Sequence, residues 1–122
     1  MSHSWKQKFG VAFRGLREGV RGESSFVAHF AIAAAVLAAA GVLRMDAVQW
    51  CLLLLCIAGV LAAEMFNSAL ESMARAITAQ EHPHIRDALD IASGAVLTAA
   101  FGSIAVGIVL FGHRAGQLLR WW

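Results

Sequence analysis

Glu64, Asn67 and Glu71 stand at i, i+3 and i+7, a spacing that sets two carboxylates and an amide on one face of a helix. Ser68 lies beside them, and Arg75 follows Glu71 at i+4, where an ion pair could form. The group comes directly after the apolar run VQWCLLLLCIAGVLA. In lipid such acids are costly, roughly 2.5–3.5 kcal/mol each on insertion scales. Together they would repel unless protons or a cation neutralised them. Hard oxygen donors at a water boundary suit Mg²⁺, which takes one or two carboxylates and completes its shell with substrate phosphates. A further carboxylate there is placed to act as a general base. Metal, base and access from water point to phosphoryl transfer from a nucleotide to a molecule in the bilayer. The same residues would also suit an ion pathway, or serve only as an interface marker with interhelical hydrogen bonds.

No G-x-x-x-x-G-K-[ST] loop, kinase glycine loop or dinucleotide fingerprint occurs in the chain. A nucleotide site would therefore have to be built from helix faces.

The elements that position these groups follow from composition and periodicity. The chain has 122 residues, enough for a single domain. Hydrophobic residues make up 59% and charged ones 15%, against about 45–50% apolar in soluble domains, so a membrane protein is expected. The absence of Tyr, the single Pro83 and the abundance of Ala and Leu favour helices over a barrel. The stretches 26–43, 47–63 and 91–111 each approach the roughly 20 residues needed to cross the hydrocarbon. With their helical extensions the predicted spans are about 26–43, 47–74 and 88–111. A tight turn at Arg44, Met45 and Asp46 must join the first two.

Before the spans, Trp5, Phe9, Phe13, Leu16 and Val20 recur at helical steps, while Lys6, Lys8, Arg14, Arg17 and Arg21 lie off that stripe. This predicts an amphipathic surface helix over about residues 4–22, lying in the interface and supported by packing against the spans. The basic residues of that segment, with Arg75 and Arg86, outnumber Arg44 and the tail's Arg114 and Arg120. The positive-inside bias then puts the amino terminus and the 75–90 connection in the cytoplasm, with Trp121 and Trp122 anchoring the far side. Glu23, Glu64, Glu71, Asp87 and Asp90 would all gather at the cytoplasmic level. The opening segment has no apolar core or cleavage site of a secretory signal.

Other residues call for plainer readings. Cys51 and Cys56 point in opposite directions on a helix and read as buried thiols. Pro83 marks a loop or helix start, so His82 and His84 read as a solvated connection rather than a metal site. Gly94, Gly102 and Gly107 read as close-packing positions.

The run Glu64-Met65-Phe66-Asn67-Ser68-Ala69-Leu70-Glu71 matches E-x-x-N-[ST]-A-[IL]-E, and with it the chain resembles the small bacterial diacylglycerol and undecaprenol kinases over about residues 9–111. Phe13-Arg14-Gly15-Leu16, Gly22-Glu23-Ser24-Ser25-Phe26, His82-Pro83 and Asp90-Ile91-Ala92-Ser93-Gly94 add to the resemblance. It implies an all-α integral membrane protein, a surface helix plus three spans, assembled as a homotrimer with composite sites in the bacterial inner membrane. ATP would be the donor, Mg²⁺ the metal and a membrane lipid alcohol the acceptor; no nucleic acid is implied. Carried over by position, Glu23 and Glu71 would hold the metal, Glu64 would take the hydroxyl proton, Asn67 would orient phosphate or substrate, and Asp90 would support the site. His29 looks like the undecaprenol-type members and, with Ser68, would face the lipid; a hydrogen bond to a neighbouring helix is its structural alternative.

Two positions depart from the family pattern. Arg75 replaces an Asp, and Leu89 replaces the Lys before Asp90. Either Arg75 or Arg86 supplies the lost cation at the phosphates, or the chain is a catalytically silent relative that binds lipid or nucleotide. A carboxylate-lined conduit fits worst, because LLLLCIAGVLAA offers no polar path across the bilayer.

Overall fold

The computed structural model describes residues 4–20, 24–77 and 79–119. Four helices account for nearly all of them: α1 (Trp5–Val20), α2 (Ser24–Val42), α3 (Ala47–Ile77) and α4 (Pro83–Leu118). No strand occurs among the described residues, so the protein is all-α. At about 1.5 Å per residue, the 31 residues of α3 run about 46 Å and the 36 of α4 about 54 Å, both beyond a hydrocarbon thickness of about 30 Å. Both helices are apolar enough to cross a membrane. The described apolar part of α2, Phe26–Val42, is shorter.

Local chemistry sets the helix ends. Asp46 caps α3: its carboxylate accepts from Gln49 N–H at 2.8 Å, and Gln49 Oε1 accepts from Asp46 N–H at 2.9 Å. This reciprocal pair satisfies two otherwise orphaned donors. Ser4 and Gln7 repeat the arrangement at the start of α1. His82 caps α4 through Nδ1, with Pro83 in the first turn, where its missing N–H costs nothing. The α2–α3 turn needs one residue in the left-handed region, Arg44 at φ 54°. Arg114 of α4 clasps that turn, donating from Nε to the Leu43 carbonyl at 2.8 Å.

The turn end holds the core. Ala40, Met45 and Leu53 are buried, with Val36, Leu43, Trp50, Leu110 and Phe111 packed around them. α3 and α4 pack along most of their shared length, whereas α1 and α2 touch α3 more sparingly. The aromatic stripe of α1 faces outward: Trp5 is 74% and Phe13 69% exposed. Lys8 stands over the Trp5 ring at 4.9 Å from its centroid, so a cation borders the stripe. Such a face fits the headgroup boundary of a bilayer better than water. Large apolar side chains of α3 and α4, among them Leu55, Ile91 and Ile108, are likewise exposed.

Two expectations are corrected here. Cys51 is exposed and only Cys56 is half-buried, because α3 turns part of its apolar circumference away from the other helices. A Cβ added at Gly94, Gly102 or Gly107 would meet nothing within 4 Å, so within this chain these glycines do not mark close approach.

Removing the α3 cap by Asp46→Ala should lower stability by about 1 kcal/mol. Thermal unfolding in detergent checks this, with Asp46→Asn expected to stay near the parent because it also caps.

Candidate active site

α3 carries the acids in its carboxyl-terminal half, after its apolar run. Glu64 and Glu71, seven residues apart, are separated by about 10 Å along the helix axis. Each has a partner. His29 Nε2 lies 3.1 Å from Glu64 Oε1, joining α2 to α3 across the hairpin; the side chains are 25% and 14% exposed. Asn67 Nδ2 donates to Glu71 Oε1 at 2.9 Å. The Glu71–Arg75 ion pair that the spacing allows is absent among the described residues: Glu71 is taken by the amide one turn before it, and Arg75 is exposed without a partner among them. Asn67 Oδ1 is buried with no hydrogen-bond partner. An orphaned buried oxygen costs about 1–3 kcal/mol unless something completes it.

Two concavities flank these residues. One is an apolar groove of about 300 Å³ between α2, α3 and α4, with His29 at one end and Leu53 and Phe111 at the other. Its polar lining is confined to a few groups such as His29 and Ser103. The other is a polar pocket of about 480 Å³ at the α3–α4 connection. Glu71, Arg75, Arg86, Leu89 and Asp90 all line it. The antiparallel packing of α3 and α4 produces this gathering, since it sets Arg75 level with Arg86 and Glu71 level with Asp90. Arg86 is already engaged, donating to Glu81 at 2.8 Å on the surface.

The structure thus joins His29 to Glu64, Asn67 to Glu71, and Glu71 to the polar pocket. Ser68 is half-buried on α3 and does not line the groove. Glu23, the other residue expected to hold a metal, lies outside the described residues, as do Arg21 and the Arg120-Trp121-Trp122 tail. No group of three or more His, Cys, Asp or Glu that could hold a metal occurs among the described residues. Glu71 and the orphaned Asn67 Oδ1 nevertheless offer hard oxygens, the donor chemistry that Mg²⁺ uses with few protein ligands. The direct His29–Glu64 link was open to sequence reasoning only as one alternative, because spacing along a chain does not fix which residues face across a hairpin.

Comparison with known proteins decides the family. The profile described as Prokaryotic diacylglycerol kinase matches residues 10–111. The chain belongs to this family. It is therefore an enzyme, a lipid kinase, and a membrane protein. An undecaprenol kinase of Bacillus subtilis is 34% identical over 105 residues, covering 86% of this chain and 85% of that relative. A diacylglycerol kinase of a Synechocystis strain is 33% identical over 100 residues, covering 81% of this chain and 57% of the other. No solved structure matches the chain significantly.

Replacing Asn67 by Leu removes both the amide donor to Glu71 and the orphaned oxygen. Lipid phosphorylation should fall about 10–100-fold, as when a group that orients a metal ligand is lost. The unfolding midpoint in detergent should stay close to the parent's, which separates this loss from misfolding.

Proposed function

We propose that the protein transfers the γ-phosphate of ATP, with Mg²⁺, to the hydroxyl of a membrane lipid at the cytoplasmic face of the bacterial inner membrane. The observation that carries this is an apolar groove and a polar pocket at successive levels of the α3–α4 seam, with Glu71 and Asp90 lining the pocket and Glu64 bonded to the groove-lining His29. Phosphoryl transfer demands mainly alignment and charge neutralisation, so a few groups on rigid helices are enough. Glu71, with Asn67 Oδ1 and Glu23, would hold Mg²⁺. When bound, the ion would neutralise charge on the nucleotide phosphates. Glu64 takes the proton of the lipid hydroxyl. Asp90 supports the pocket wall.

Arg75 is the better replacement for the missing family Lys. It lines the pocket beside Glu71 and is unengaged among the described residues, whereas Arg86 is tied to Glu81. The retained base and metal ligand favour an active enzyme over a silent relative. Undecaprenol is preferred slightly over diacylglycerol as acceptor, a choice supported by His29 and by the greater coverage of the undecaprenol kinase relative. The large exposed apolar faces of α3 and α4 support a multi-pass placement and a homotrimer in which neighbouring copies cover part of those faces, and the basic residues before the first span support an amino terminus inside. The whole chain would form a single domain.

The direct test is Mg²⁺-dependent transfer of labelled phosphate from ATP to undecaprenol and to diacylglycerol in mixed micelles. Expected is transfer that Glu64→Gln reduces by on the order of 10²–10⁴, the usual contribution of a general base. Transfer no greater than in the Glu64→Gln protein would refute the kinase reading. In the same assay Arg75→Ala should lower kcat/KM for ATP about 10–100-fold, the worth of a charge-assisted hydrogen bond. Arg75→Lys should recover part of that loss, and Arg86→Ala should cost less.

A further inference from the structure

The contact between His29 and Glu64 joins the only two ionisable side chains that meet across the α2–α3 hairpin among the described residues. Glu64 Oε1 is held at 3.1 Å by the ring, and Oε2 has no partner among the described residues. The ring itself is fixed. Phe26, 1% exposed, packs edge-on against it at 6.5 Å between centroids, one turn earlier on α2. His29 also lines the end of the apolar groove. A carboxylate at a bilayer edge has two ways to point, outward to water or inward along its helix. An aromatic ring wedged behind Phe26 and bonded to one oxygen selects a single orientation.

We infer that His29 is a positioning residue for Glu64. With the proton on Nε2 the ring donates to Oε1, and the other oxygen is left as the acceptor for the lipid hydroxyl. This rests on the reading of Glu64 as the base. In the transfer, the hydroxyl proton passes to Oε2 as the new O–P bond forms. The bond from the γ-phosphorus to the bridging oxygen breaks, and its electron pair leaves on ADP. Glu64 afterwards returns the proton to water. His29 neither gains nor loses a proton. It acts through Glu64, which differs from the direct lipid contact expected of it from the resemblance.

The distinction is measurable. His29→Phe keeps an aromatic ring of similar volume and removes the N–H; His29→Gln restores an N–H near the position of Nε2. Initial rates are read with undecaprenol and ATP in both the wild-type and the Glu64→Gln backgrounds. Removing a group that orients a working residue costs about 10–100-fold, so His29→Phe should lower kcat by that factor, with both KM values within about threefold of the parent. His29→Gln should recover at least half of the loss on a logarithmic scale. In the Glu64→Gln background, where there is no base to position, His29→Phe should change kcat less than about twofold. An unchanged kcat for His29→Phe overturns the inference. So does an equal loss in both backgrounds, or an effect confined to the lipid KM. If Glu64→Gln itself turns over at the parent rate, the base reading fails, and this inference fails with it for a visibly different reason. Should His29→Phe not fold, the ¹⁵N resonances of the His29 ring in the full-length protein decide: they should move on Glu64→Gln, and unmoved resonances overturn the inference.

Discussion

An acid at the edge of a bilayer is tolerated only when something nearby accepts its charge, and the arrangement of α3 follows from that constraint. Each of its two central carboxylates is met by an imidazole or an amide rather than by a lysine or arginine. Glu64 reaches across to α2 and Glu71 back along its own helix. A charge satisfied by a donor of this kind keeps its capacity to interact with a second group, whereas a bidentate guanidinium would occupy both oxygens. The acids are therefore stabilised without being used up. That is the condition a site needs if it is to hold a cation and accept a proton.

The helical scaffold serves this arrangement at both ends. At the far end, Arg114 grips the carbonyl left open by the end of α2, and the Asp46–Gln49 pair starts α3 in a fixed direction. At the near end, Phe26 in the first turn of α2 is buried against the His29 ring. Between them the chain buries few residues, and most of its large apolar side chains face outward. Such a surface would be untenable for a monomer in water. It is the expected surface of a chain whose solvent is lipid.

Much of this was legible in the sequence. The turn at Arg44–Asp46, the helix start at Pro83 and the long apolar helices follow from local signals that tertiary contacts do not override. The face shared by Glu64, Asn67 and Glu71 follows from the helical period alone. What could not be read was the choice among partners of equal sequence distance. Glu71 could reach Asn67 or Arg75, each four residues away, and local geometry gave it the amide. The His29–Glu64 contact, 35 residues apart, depends on the register of a hairpin, which no periodicity encodes. Cys51 and the glycines of α4 were misjudged for a related reason. Burial in a membrane chain is shared between its own helices and surroundings that the chain does not contain.

Because α3 runs without a break from Ala47 to Ile77, it works as a ruler along its own axis. The gap between its two acids cannot shrink to meet a deeply buried alcohol or stretch to meet one floating in the headgroups. On the proposed kinase reading, an acceptor would thus be sorted by the depth at which its oxygen rides more than by the length or branching of its hydrocarbon tail.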